Sequence, residues 1–383
     1  MSYLRIILAL LTVTALSASM SALPKFASRA GARCQSCHVN PTGKGMRTEF
    51  GRSYGMDDIT IPTWKERSDL EELSMSLTPN IEMGLDVRTL FFYEQQSRAS
   101  STLQMQGDIY FDIRLNNWVR IYLDKGLYSG FEAFALAKVL PWDGYIKAGK
   151  FMPAFGTRID DHNAFIRGGP YGGGPFSAQF QPLSSAGYPT GLRFGERSED
   201  SGVELGLSPG VFTFNVGVFN GTPGSGLNGI TPSTEKAFAL RGDASFKFSG
   251  IHLNVGGSAY QSPVAGSTHL YRGVFGSITV AERYTLNSEA DLVEVELAGP
   301  NLSGLIVWNE LNVVVSPGID LKVGYEFYDP DRNLKNGSFS RAVIGAEFFV
   351  LSGVELRPMY RINIEEPTNV SNNEFQMMLH LFL

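Results

Sequence analysis

From about residue 77 to its end the chain repeats one pattern, apolar and polar side chains alternating every second residue, and no apolar run approaches the length of a helical membrane span. In 81–93 the odd positions Ile81, Met83, Leu85, Val87 and Phe91 are apolar, while Glu82, Asp86 and Arg88 occupy even ones. The next segment sets Leu103, Met105, Ile109, Phe111, Ile113 and Leu115 against Gln104, Gln106, Asp108, Asp112 and Arg114. A period of two puts alternate side chains on opposite faces of a strand. Spanning helices need ~20 consecutive apolar residues, so they are excluded. Strand after strand with one apolar and one charged face, separated by turns, is the signature of a transmembrane β-barrel.

Further segments with this character lie at 118–125, 130–139, 144–152, 188–194, 202–207 and 211–220. The series continues at 236–248, 251–261, 270–278, 283–297, 304–314, 320–328, 339–350, 354–364 and 374–383. Tight turns such as Ser208-Pro209-Gly210, Ser249-Gly250, Ser316-Pro317-Gly318 and Ser352-Gly353 alternate with longer polar loops, the outer-membrane arrangement. A barrel with both ends on one side has an even strand number. The segments therefore predict an all-β antiparallel barrel of about 16 to 18 strands, reached by merging short segments or by adding 176–183. The last segment is the clearest, with Phe375, Met377, Leu379, Leu381 and Leu383 on one face and Gln376 and His380 on the other. The composition agrees: 43% hydrophobic and 12% aromatic residues with 42 glycines is an unusual mix for a soluble chain, and a net charge of −6 argues against nucleic acid as a partner.

The N-terminal part reads differently. Residues 1–22 have the form of a secretory signal, with Arg5, the apolar run Ile6 to Leu11 and a small-residue exit, too short to span a membrane. Residues 23–57 then contain Cys34-Gln35-Ser36-Cys37-His38, with the only two cysteines of the chain. Two thiols one helical turn apart can form thioethers with the haem vinyls while the next imidazole ligates the iron, so the motif predicts one covalent haem c. A zinc site lacks two further ligands, a thioredoxin-type pair lacks a βαβ context, and a plain disulfide favours better separated partners. His38 is the expected axial ligand, and Met46, eight residues on, is the first candidate for the other face. Met56 comes next, then Lys44, His162 and His380, or an open face. A segment this short needs a staple, which covalent haem supplies. Residues 58–76 read as a linker, extended at 61–63 and with a short charged helix at 64–73, leading into the barrel at 77–383.

One stretch inside the barrel region, 153–190, is long, irregular and rich in glycine and proline. It carries Asp160, Asp161, His162 and Arg167, groups able to hold a hard metal ion or to set the charge of a constriction.

A signal, one C-x-x-C-H segment and a barrel in one chain resemble the fused outer-membrane cytochrome-porin family, most specifically at Pro24, Phe26, Ala27, Gly31, Cys34, Cys37, His38, Pro41, Phe50 and Gly51. The resemblance implies that the haem segment plugs the barrel and passes electrons between extracellular donors or acceptors, iron among them, and periplasmic carriers such as cytochromes c. After the haem motif the chain reads Asn40-Pro41-Thr42-Gly43-Lys44-Gly45-Met46, unlike the iron-oxidising members, so the resemblance is to the broader fused group. Gly149-Lys150-Phe151 to Phe155-Gly156 is also similar to anion-selective porins. Three functions follow as expectations: electron transfer across the outer membrane, a solute porin with a haem-bearing plug or redox gate, and an enzyme at an open iron face. A lumen of this strand number is wide enough for an aqueous channel, and a single haem cannot span an apolar band ~25 Å tall, so redox partners would have to approach the mouths.

Overall fold

A computed structural model describes residues 24–62, 75–126, 130–169, 191–192, 194, 198–221, 234–264, 267–296, 299–369 and 371–383. The expected signal at 1–22, the helix at 64–73 and the strand at 176–183 lie outside them. Strand β1 (Ser76–Thr78) is a short antiparallel addition to the start of β2 (Ile81–Glu94). Then follow β3 (Ala99–Arg114), β4 (Val119–Gly126), β5 (Phe131–Leu140), β6 (Gly144–Phe151), β7 (Asp200–Leu207), β8 (Phe212–Phe219) and β9 (Ala237–Phe248). The second half comprises β10 (Ile251–Val264), β11 (Ser267–Val280), β12 (Tyr284–Glu296), β13 (Leu302–Ser316), β14 (Ile319–Asp329), β15 (Phe339–Leu351), β16 (Val354–Glu365) and β17 (Glu374–Phe382). From β2 onward each strand pairs antiparallel with the next, and β17 returns to pair with β2, His380 opposite Arg88. Setting β1 aside, the seventeen strands of the sheet leave sixteen to close the barrel.

The barrel inverts the burial of a soluble protein. Exposed positions are Val216, Val218, Leu240, Val255, Val274, Val323 and Ile344, whereas Asp86, Arg88, Lys147, Glu204, Glu289, Arg341 and Arg361 are buried. Apolar side chains outward and charged ones inward is stable only where the outside is lipid, so the chain is a membrane-spanning barrel. Trp118 and Trp142 are exposed at the short-turn end, where amphipathic rings sit at the membrane interface.

The described residues of the strand expected at 188–194 join no strand: Leu192 donates its N–H to the carbonyl of Phe165, and Phe194 stacks on Phe155 at 4.3 Å between ring centroids. Their apolar side chains are buried inside the barrel, which a short sequence cannot distinguish from a lipid-facing strand. Neither a merger of segments nor an added strand is needed to reach sixteen.

Candidate functional site

Two pieces of chain enter the lumen, the N-terminal segment from the short-turn end and the loop after β6. The first begins with α1 (Pro24–Ala30), whose proline stands at the position where a missing N–H costs nothing. It is tied to the wall by ion pairs from Lys25 to Glu347 and from Arg29 to Asp320, the latter at 2.5 Å. His252 Nδ1 meets the Ser28 carbonyl oxygen at 2.5 Å. Arg33 donates to the carbonyls of Ser208 and Gly210, in the tight turn between β7 and β8.

Next comes a single turn of helix, α2 (Cys34–Cys37), closed by the His38 N–H on the Cys34 carbonyl at 2.8 Å. The turn puts both thiols on neighbouring positions of one helical face. His38 then leaves in an extended conformation and bridges Arg47, with Val39 N–H on the Met46 carbonyl at 3.0 Å. Between them the chain reverses through Gly43, Lys44 and Gly45, all with positive φ. Gly45 has a further reason: a Cβ there would lie 1.9 Å from the Tyr122 hydroxyl on β4, which accepts the Met46 N–H at 3.0 Å. Asn40, fully buried, anchors the other side, accepting from Lys147 Nζ at 3.2 Å and donating to Glu132 at 3.3 Å. Thr48 caps α3 (Glu49–Ser53) by accepting the Gly51 N–H. Gly51 fits under the motif because a Cβ would lie 2.1 Å from the Cys37 carbonyl oxygen. Past a π-helical turn at Tyr54–Asp58, Ser352 Oγ donates to the Met56 carbonyl and Ile61 N–H to that of Phe349. Residues 58–62, read as the start of a linker, thus continue the plug.

The residues of the motif fit a covalent haem. Both thiols are free and partly buried. Cys34 lines one lumenal cavity with Arg241 and Phe275, and Cys37 and His38 line a second, larger one. His38 is 92% buried, given its 8% exposure, and its Nδ1 has no hydrogen-bond partner among the described residues. Burial, then the neighbouring Arg47, pushes its pKa down to about 3, so the ring stays neutral, the form that ligates iron. Met46 is placed elsewhere: its side chain is buried among Val39, Tyr110 and Tyr122, with Cγ 3.3 Å from where a Cβ on Gly84 would lie. It is not among the side chains lining the cavity beside His38, whereas Lys44, Met152, His162 and His380 are.

The loop after β6 crosses the lumen and is held on the far wall. Gly156 N–H donates to Ser258 Oγ at 2.8 Å, Thr157 N–H to Glu289 at 2.6 Å and Phe165 N–H to Glu326 at 2.8 Å. Asp160 and Asp161 each meet a β16 arginine, Arg357 and Arg361, both at 2.5 Å. Arg88 donates to the Asp160 carbonyl at 3.2 Å and lies 3.5 Å from His162 Nε2. The expected trio thus engages arginines of the wall, and among the described residues no group of three or more His, Cys, Asp or Glu is placed to hold a metal. Arg88, Arg357 and Arg361 were visible in the sequence only as charged members of the inward strand faces. Asn40, Lys147 and Arg158 carried no signal of their own.

Between plug and loop lies a cavity of about 190 Å³. Eight Lys and Arg side chains and five carboxylates line it, together with His38, His162 and His380. His380 spans Glu355, 2.9 Å from Nδ1, and Asp86, 3.2 Å from Nε2.

No protein-family model and no curated protein matches the chain. Solved structures do. The outer membrane channel DcaP of Acinetobacter baumannii superposes with a TM-score of 0.56 at 11% identity, covering 81% of this chain and 100% of that one. OmpT of Vibrio cholerae gives 0.54 at 14%, covering 79% and 97%. An anion-selective porin from Comamonas acidovorans gives 0.53 at 9%, covering 79% and 99%. The fold is that of the outer-membrane porins.

Proposed function

We propose that this chain is an outer-membrane solute channel of the porin kind, with residues 24–62 as a lumenal plug that carries one haem c. The carrying observation is the closed sixteen-strand barrel that turns apolar side chains outward and charged ones, Arg88, Lys147, Glu204 and Arg361 among them, into a lumen of porin width. Similarity of fold to an anion-selective porin and to the DcaP channel supports the same reading. Planar-bilayer recording tests it: chemical reduction and oxidation should switch the full chain between two conductance levels. A barrel electrically silent in both states would refute the channel reading.

In this reading Cys34 and Cys37 hold the cofactor by thioethers and His38 ligates its iron, with neutral imidazole secured by burial. The bound haem would supply a reversible one-electron couple. Gly45 and Gly51 bring the motif close to Tyr122 and to α3, and the Lys25 and Arg29 ion pairs fix the segment against β14 and β15.

A second reading, electron transfer between an extracellular donor or acceptor, iron among them, and periplasmic carriers such as cytochromes c, is favoured by Cys34, Cys37 and His38 facing lumenal cavities with both thiols free. Liposomes holding a redox dye separate the two. Dye reduction from outside that is lost in Cys37→Ala supports electron transfer, and equal rates in both proteins oppose it.

A further inference from the structure

Lumenal cations are mostly matched by carboxylates. Arg88 has Asp86, Lys147 has Glu204, Lys322 has Glu310 and Glu347, and Arg357 has Asp160 and Glu355. Three guanidiniums lining the large cavity differ. Arg47 of the plug lies 4.3 Å from the centroid of the Phe382 ring and forms no ion pair among the described residues. Arg158 donates to the backbone carbonyls of Gly43, at 3.3 Å, and Met152, at 2.9 Å. Arg167, 94% buried by its 6% exposure, donates one Nη1 bond of 3.4 Å to the Phe194 carbonyl, and its Nε and Nη2 have no partner among the described residues. The carboxylates that face it, Glu289 and Asp291, take no hydrogen bond from it. A buried guanidinium whose N–H groups reach no partner is costly, by several kcal/mol, and this is the position of Arg167; Arg47 and Arg158, both half-buried, line the same cavity with a ring face and backbone carbonyls as their partners.

We propose that Arg47, Arg158 and Arg167 form a binding site for a dianion bearing two carboxylates. Guanidinium forks match carboxylates geometrically, and carbonyl contacts on Arg158 and Arg167 fix those two forks before the ligand arrives. Arg47 comes from the plug and the other two from the loop, so the ligand joins both elements. Arg158 also lines the cavity beside Cys34, which places it at both ends of the motif. Two sources present this chemistry: the propionates of a haem on Cys34 and Cys37, which rests on the haem reading above, and a small polycarboxylate in transit, which does not.

The test uses the full chain as wild type, as Arg158→Gln with Arg167→Gln, and as the paired Lys variants. Heat-modifiable electrophoretic migration verifies the barrel, and the reduced alkaline-pyridine spectrum measures haem c. For propionates, removing the cations lowers the haem midpoint potential and moves its pH-linked break upward in the Gln pair, while the Lys pair stays near wild type. For a solute, citrate blocks the wild-type conductance, and the Gln pair weakens that block about tenfold or more. A site filled by propionates leaves the wild-type conductance insensitive to citrate. Folded Gln-pair protein with unchanged potential and unchanged citrate response overturns the site. Absence of haem c from the wild type refutes the haem reading alone, and the citrate response then decides the site.

Discussion

Gly45 shows how a single residue fixes the plug. Its φ of 68°, and the 1.9 Å that would separate a Cβ from the Tyr122 hydroxyl, leave no room for a side chain. Gly45→Ala should destabilise the seated plug by about 1–3 kcal/mol, read as faster limited proteolysis within residues 24–62 while the barrel keeps its heat-modifiable migration. Unchanged cleavage would mean that this turn does not touch the wall. His38 offers a second residue-scale prediction. His38→Ala leaves both thioethers possible but removes the ligand, so its haem c content should persist with a visible spectrum displaced from wild type. An identical spectrum would show that the iron takes its ligand elsewhere. The haem chemistry proposed for Cys34, Cys37 and His38 rests on spacing along the chain, to which the structure adds the helical turn that sets both cysteines on one face. The placement of Met46 was not legible in that spacing: alternation about the His38–Arg47 bridge turns neighbouring side chains to opposite sides, and Met46 went to the wall.

The loop after β6 is an element whose attachments titrate. Burial raises the Asp161 pKa, but Arg361 and then Lys322 outweigh it and bring the value to about 2, from the ordinary 3.8. A depressed carboxylate contributes stability that is complete above its unfolded value and lost as pH falls through the folded one. Loop attachment should therefore be constant from neutral pH to about 4 and fail as pH approaches about 2. Channel conductance recorded down this range should rise only at its acid end; a rise beginning near pH ~6 would implicate other groups. Arg361→Gln should free the loop at neutral pH and leave Asp161 without its partner, at a cost on the order of 3 kcal/mol. Strands were readable here because alternation is local. The partners of Asp160 and Asp161 lie 197 and 200 residues away, and no local pattern announces them. The misread strand at 188–194 failed for a related reason, since apolar side chains facing a filled lumen look like those facing lipid.

At the scale of the whole molecule, sixteen strands make a lumen wide enough for water, and two inserted elements divide it. Apolar alternation was legible in the residue pattern; the even strand number came from the closure rule for a barrel with both ends on one side, since the segments themselves numbered about seventeen. That the N-terminal segment lies inside the barrel was implied by resemblance and by its being too small to fold alone beside a lumen wide enough to hold it, and it rests now on Lys25, Arg29, Asn40, Gly45 and Ser352 meeting wall or plug across the chain. Single-channel conductance of the mature chain lacking residues 24–62, set beside the full chain, tests that placement most directly. The account predicts a folded barrel with severalfold higher conductance when the segment is removed; equal conductance in the two proteins would contradict it.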